Sequence, residues 1–224
     1  MKKSGIRAAP QSLFPLFQET DRFSFERELR RQGFSAIAGT DEVGRGPLAG
    51  PVVAASVILP PDCDYQQFND SKKLTPLVRG RLFDVLREMG ADIGIGIVAE
   101  AQIDRYNILQ ASLMAMKNAL ESMRTEPDFV LVDGKFPVPV AVSQQPLIKG
   151  DSRSASIAAA SIVAKVTRDD LMRQYHQQYP QYNFHKHKGY PTAEHRRLLA
   201  QYGPCPLHRK TFAGVKEFFA AGHE

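Results

Sequence analysis

Ala36-Ile37-Ala38-Gly39-Thr40-Asp41-Glu42-Val43-Gly44-Arg45-Gly46-Pro47-Leu48-Ala49-Gly50-Pro51 carries a strand-like apolar run straight into two adjacent carboxylates and a Gly-Arg-Gly turn. Carboxylates are hard oxygen ligands of the kind divalent metals prefer. The glycines lack Cβ, so peptide N–H groups can approach a ligand closely. Arg45 adds a planar donor suited to phosphate. A metal-ligand pair beside an open peptide turn and a cation points to chemistry on a phosphodiester. Three other readings of the stretch exist. A solvated hairpin turn accounts for Asp-Glu before Gly-x-Gly and stays open on these few residues alone. A dinucleotide fingerprint fails on spacing, because its third glycine would be Gly50 with Pro47 intervening, and Asp41 and Glu42 would repel a pyrophosphate. A P-loop would need a Lys-Ser/Thr pair that is missing.

Further acids fall where other extended segments end. Phe129 to Val132 reads as a strand with Asp133-Gly134 at its tip. Leu147 to Lys149 reads as another short strand that delivers Asp151. Carboxylates at neighbouring strand ends converge although distant in sequence, and three or four acids around two divalent ions form a clamp for in-line attack at phosphorus. Asp169 and Asp170 lie inside a helical pattern and read as surface ion-pair partners. Asp62 and Asp64 lie in a proline-flanked loop.

Around these motifs the chain alternates. Ser24 is positioned to cap a short helix, Phe25 to Gln32, stopped by Gly33. Strands are expected at Ala36 to Thr40 and Val52 to Leu59. Thr75-Pro76 has the cap and first-turn proline of a helix that stops at Gly90. Ile93 to Ala99 alternates Ile with Gly, a strand that something approaches closely. From Asn107, the positions Leu109, Leu113, Met116, Leu120 and Met123 repeat at helical spacing as core. A helix from about Ser154 to Gln178 is rich in Ala and Ser, as expected for flat packing on a sheet. Thr192 caps a last long helix closed by Gly203, and a final aromatic segment ends near Phe219. Strands in a meander followed by alternation with helices give an α/β class with a mixed sheet.

With 224 residues, 43% hydrophobic and 24% charged, the chain has material for one sizeable core. Residues 1–18 read as a flexible tail and 19–224 as one domain. Net charge is +5, consistent with a polyanionic partner. From Lys186 to Lys210 six Lys/Arg face one acid, Glu194, and the interleaved Tyr182, Phe184 and Tyr190 favour a nucleic-acid surface over a merely solvated face. Two cysteines, Cys63 and Cys205, fit neither a disulfide framework nor a zinc site and read as free thiols. No apolar run is long enough to cross a bilayer and no secretory h-region follows the N-terminus, so a cytoplasmic protein with no membrane partner is expected.

The motifs also resemble a known family. Asp41-Glu42-Val43-Gly44-Arg45-Gly46-Pro47-Leu48-Ala49-Gly50 is similar to the opening motif of bacterial type 2 ribonuclease H (RNase HII). The likeness continues through Asn69-Asp70-Ser71-Lys72-Lys73-Leu74, Val132-Asp133-Gly134, Lys149-Gly150-Asp151-Ser152, Ala159 to Asp169 and His187-Lys188-Gly189-Tyr190-Pro191-Thr192. It covers roughly residues 34 to 212 in order. The resemblance implies an RNase H-like fold: a central mixed β-sheet flanked by helices, with a helical C-terminal segment from about 180 to 224. It implies that Asp41, Glu42, Asp133 and Asp151 hold Mg²⁺ or Mn²⁺, two ions with substrate bound. The implied activity is cleavage of the RNA strand of RNA–DNA hybrids and cutting on the 5′ side of ribonucleotides embedded in duplex DNA. The products carry 3′-hydroxyl and 5′-phosphate ends, and the cellular task is removal of ribonucleotides and RNA primers. Gly44, Arg45 and Gly46 would read the ribose 2′-hydroxyl, and Tyr190 would pack on the deoxyribose that follows. Lys72 and Lys73 would contact phosphate or metal-bound water; Lys165 and Arg168 face either the duplex or solvent. His185 and His187 read as phosphate contacts or exposed side chains. Phe218-Phe219 either docks a replication clamp or tucks into the core in a short helix, the second being preferred. With only 40 residues before Asp41, the extra N-terminal domain of type 3 relatives is not expected, and a monomer is. Two rivals remain: a hybrid-binding module without catalysis, which could drop the acids, and an RNase H-like DNA nuclease, which should lack the Gly-Arg-Gly turn and Tyr190.

Overall fold

A computed structural model describes residues 21–68, 71 and 74–220. The N-terminal tail expected at 1–18, and Lys72 and Lys73, lie outside the described residues.

Five strands form one mixed sheet in the order β3-β2-β1-β4-β5. They are β1 (Ile37–Val43), β2 (Val52–Ile58), β3 (Asp92–Val98), β4 (Phe129–Asp133) and β5 (Ser143–Leu147). β1 is antiparallel to β2 and parallel to β4, β2 is antiparallel to β3, and β4 is parallel to β5. Successive side chains of β2 point to opposite faces. Ala55 and Val57 meet helix α4 (Ala155–Gln178), and Val52 and Ala54 meet helix α3 (Glu100–Glu121). A strand covered on both faces needs no polar alternation, which explains the unbroken apolar run of 52–58.

Small residues let these layers approach. A Cβ on Gly39 would be driven into the α4 backbone at Ser156 and Ile157. On the other face Gly94 and Gly96 of β3 lie under the Ala119 and Ala115 carbonyls of α3, the close approach that the Ile/Gly alternation announced. Gly96→Ala is therefore expected to destabilise by about 1–3 kcal/mol, since its methyl meets backbone rather than a movable side chain. A thermal melt that left the midpoint unchanged would contradict this packing.

The remaining helices are α1 (Ser24–Arg31), α2 (Pro76–Glu88), α5 (Phe184–His187), α6 (Ala193–Tyr202) and α7 (Glu217–Ala220). Thr75, Ser154 and Thr192 cap α2, α4 and α6 by accepting from the N–H groups of Val78, Ile157 and His195. Ser24 instead begins α1, whose N-cap residue is Phe23 and which has no side-chain cap; the Asp21 side chain accepts from Phe23 N at 3.1 Å in the turn just before it. α3 starts seven residues before Asn107. At Asn107 the backbone breaks to φ 71°, and its Oδ1 caps the second part by accepting from Leu109 N (3.0 Å) and Gln110 N (3.1 Å). β5 lies earlier than the expected 147–149 because Gln144, Gln145 and Pro146 hide it; a proline is tolerated on an edge strand. α7 forms as a short helix, yet Phe218 and Phe219 are 39% and 41% exposed, so they do not tuck into the core. Cys63 and Cys205 are free thiols. No helix among the described residues is long and apolar enough to cross a membrane.

Candidate active site at the carboxyl ends of β1 and β4

Parallel pairing sets the site. Thr40 lies opposite Val132 in the last pair of the β1–β4 ladder, so the next residues outward, Asp41 and Asp133, stand side by side. β1 does not end at Thr40 as expected but stays paired with β2 through Asp41 and Glu42 to Val43, because β2 gives those residues a ladder partner. β5 continues into a tight turn, Lys149 at φ 56° followed by one helical turn over Gly150–Ser152, which carries Asp151. Gly150 N donates to Asp133 Oδ1 at 2.6 Å, tying the two acid-bearing turns together.

The acids feel one another. Burial pushes the Asp41 carboxyl well above its ordinary value, and the charges of Glu42, Asp133 and Asp151 push the same way; one N–H, from Glu42, opposes them at 2.7 Å. Glu42 is also raised, by burial first, while Arg45 draws it back through an ion pair at 3.1 Å. The four predicted acids are thus one electrostatic unit. As they stand, no three His, Cys, Asp or Glu among the described residues are gathered tightly enough to hold an ion. The donor chemistry, all hard oxygens, fits a divalent cation.

Directly beyond the acids, Gly44 takes φ +97°, and a Cβ there would strike the Arg168 Nε and approach Pro51 O to 2.7 Å. Only glycine fits that position. Tyr190, 37% exposed, faces this turn: its ring edge would lie 3.8 Å from a Cβ on Gly46. The structure therefore brings Asp41, Glu42, Asp133, Asp151, Gly44, Arg45, Gly46 and Tyr190 to one end of the sheet. Lys165 is partly buried and paired with Asp169 at 2.6 Å.

Arg168 needs correction. It is fully buried and faces neither duplex nor solvent; its donors go to the carbonyls of Pro51, Lys188 and Ala49. The basic run to Lys210 is likewise not all surface. Arg209 is fully buried, Tyr182 and Phe184 are core aromatics, and His187 is buried with its ring stacked on His195 at 4.3 Å. In a single sequence, core and surface arginines look alike. Glu26 also escaped notice: its buried carboxyl accepts from Ser154 Oγ (2.7 Å) and Ser156 N (3.0 Å), holding the start of α4 just after the Asp151 turn.

A mixed five-stranded sheet, clad by helices on both faces and carrying acids at the ends of two parallel neighbours, defines an RNase H-like protein. The family model described as ribonuclease HII matches residues 38–215. The ribonuclease HII of Desulfotalea psychrophila is 54% identical over 219 residues, 96% of this chain and 97% of that relative. The ribonuclease HII of Geobacter sulfurreducens is 55% identical over 195 residues, 87% of this chain and 90% of that relative. The crystal structure of the ribonuclease H2 from Pyrococcus horikoshii OT3 matches with a TM-score of 0.69 at 27% identity, over 82% of this chain and 97% of that one. The chain belongs to the ribonuclease HII family. It is a ribonuclease H, a hydrolase that cuts internally in the RNA of RNA–DNA hybrids.

Proposed function

We propose that this enzyme is a divalent-metal-dependent endoribonuclease that cuts hybrids and also cuts DNA duplexes on the 5′ side of an embedded ribonucleotide. The products would carry 3′-hydroxyl and 5′-phosphate ends. The observation that carries this reading is the adjacency of the acid set, two of its members buried, to the Gly44-Arg45-Gly46 turn and Tyr190, since one machinery would select the ribose while the other would cut beside it. Asp41, Glu42, Asp133 and Asp151 would hold the metal. When bound, Mg²⁺ or Mn²⁺ would supply Lewis acidity for activating water and stabilising the leaving 3′-oxygen. Arg45 stays paired with Glu42 until substrate phosphate competes for it. Peptide groups of the turn would meet the 2′-hydroxyl, and the Tyr190 ring would fill the space against the next sugar, where a second 2′-hydroxyl would find no partner. Residues 19–224 would act as one domain and as a monomer, in ribonucleotide and primer removal.

The test is cleavage of a labelled duplex containing one ribonucleotide, with Mg²⁺, Mn²⁺ or EDTA, beside an all-DNA control. A metal-dependent cut 5′ to the ribonucleotide, lost in Asp133→Asn, is expected. An intact ribonucleotide duplex under every metal would remove the junction reading, and binding without cleavage would leave a hybrid-binding module. Cutting of the all-DNA control would indicate a DNA nuclease.

A further inference from the structure

Two fully buried arginines converge on the loop that follows the acids. Arg209, 164 residues downstream of Arg45, donates through Nη1 to Arg45 O at 3.0 Å and through Nη2 to Gly44 O at 2.6 Å. It also donates to Gly50 O, from Nε at 3.0 Å and Nη2 at 2.7 Å. Arg168, from α4, donates to Pro51 O at 2.9 Å, Ala49 O at 3.2 Å and Lys188 O at 3.0 Å. Its guanidinium also sits 5.9 Å from the centre of the Tyr190 ring. Neither guanidinium forms an ion pair with a carboxylate among the described residues. Glu100, itself buried, is an acid whose charge acts on both.

Burying two cations against carbonyls is costly, and packed apolar side chains would serve stability alone as well or better. The geometry indicates what the cost secures. In a trans peptide, C=O and the following N–H point in opposite directions, and no peptide bond among the described residues is cis. Drawing Gly44 O and Arg45 O inward onto Arg209 therefore turns the N–H groups of Arg45 and Gly46 outward, as two successive donors beside the acids. Arg168 fixes the far end of the same loop and the Lys188 carbonyl just before Tyr190. Leu48 N donates to Gly189 O at 2.8 Å, joining the two segments directly.

We infer that Arg209 and Arg168 are positioning residues for ribose recognition: they preset the outward N–H pair of Arg45 and Gly46 and seat Tyr190 against it. The inference rests on the reading of this turn as the ribose-contacting element. Lysine at either position keeps the charge but concentrates its donors at one point, and it does not span three carbonyls.

The experiment compares wild type, Arg209→Lys, Arg168→Lys and a remote core truncation, Leu86→Ala, at a temperature well below every melt. In metal-free wild type, the Arg45 and Gly46 amide resonances are expected to shift on adding the single-ribonucleotide duplex and not the all-DNA duplex. In the lysine variants these resonances should broaden, kcat on the ribonucleotide duplex should fall about 100-fold, and KM should stay within about threefold, because misplacement costs rate while phosphate contacts keep affinity. Leu86→Ala should leave the resonances and kcat near wild type. A folded lysine variant with unchanged kcat and amides overturns the inference, as does a kcat loss no larger than in a Leu86→Ala protein of equal stability. Wild-type amides indifferent to the ribonucleotide overturn it even if no lysine variant folds. A wild type that fails to cut the ribonucleotide duplex defeats the functional reading instead.

Discussion

Asp41→Asn is expected to remove nearly all cleavage and at the same time to raise the melting temperature of the metal-free protein. The loss should be at least about a thousandfold, about 4 kcal/mol of barrier, because the amide no longer offers a charged ligand at the centre of the acid set. The gain follows from the same electrostatics. Burial, then Glu42, Asp133 and Asp151, hold the Asp41 carboxyl well above its ordinary 3.8. A carboxyl raised in the folded state contributes stability that is present below 3.8 and lost as pH rises through its folded value. At neutral pH the metal-free wild type has lost that contribution; asparagine never carries the charge, and its Oδ1 can still accept the Glu42 N–H. In a domain of this size each kcal/mol recovered moves the midpoint by about 2–4 °C. Mn²⁺ should stabilise wild type, by about 2.7 kcal/mol at a hundred times its dissociation constant, and should do little for the variant. Melts in EDTA and Mn²⁺ beside an activity assay check all three. A variant that keeps a tenth of the activity, or melts lower in EDTA while retaining the full Mn²⁺ shift, would show that Asp41 is not part of a metal-binding unit.

The gathering of the four acids is legible in the sequence because a short apolar run followed by Asp or Glu is a local signal, although β1 runs on through Asp41 and Glu42 to Val43 instead of stopping before them. The caps at Thr75, Ser154 and Thr192 were readable for the same reason, since a cap acts within one turn. The Gly-Ile alternation at 93–98 announced close packing, though not which helix would supply it. What stayed hidden depends on long-range partners. Arg209 and Arg168 read as basic surface because nothing nearby in sequence says that loop carbonyls will surround them. Glu26 caps α4 from 128 residues upstream. β5 was hidden by its polar, proline-bearing sequence, which suits an edge strand. The basic and aromatic run from 182 to 210 combined two features in one stretch: exposed charges at Lys186, Arg196 and Arg197, and a core of rings.

That core of rings makes an acid-labile element beside the Gly44-Arg45-Gly46 turn. His187, His195 and His208 are all buried. Each accepts at one nitrogen and donates at the other in a scheme set by backbone partners. Cys205 N donates to His208 Nδ1 (3.0 Å), which leaves His208 Nε2–H to donate to His195 Nε2 (3.1 Å), and His195 Nδ1–H to donate to Tyr190 O (3.0 Å). Gly189 N donates to His187 Nδ1 (3.2 Å), and His187 Nε2–H donates to Tyr182 O (2.7 Å). A proton added to any ring sets a donor against a donor. Burial presses in the same direction, as do the neighbouring rings and the Arg196 and Lys186 charges, with only Glu194 and backbone carbonyls opposing. His195 and His208 are both pushed down to about 4 from 6.5. A histidine depressed in the folded state contributes stability that is lost as pH falls, because the unfolded chain takes up the proton first. The pair should thus give a slope approaching about 2.7 kcal/mol per pH unit between 6.5 and 4, against a total stability of order 5–15 kcal/mol. Asp41 acts with opposite sign on rising pH, as do the raised carboxyls of Glu42, Glu26 and Glu100, so the Asp41→Asn protein removes one opposing contribution and the ring-proton signals separate the histidines from the rest. Urea unfolding of that variant between pH 7 and 5, with ring-proton NMR, is the measurement. Stability falling steeply while the two rings stay neutral is expected. Flat stability over that range, or rings that protonate near their ordinary value in the folded protein, would break the scheme. Because His195 holds the Tyr190 carbonyl and Gly189 holds Leu48, loss of the ring stack releases Tyr190 and the loop beside the acids together, so activity at low pH should fail before the β-sheet does.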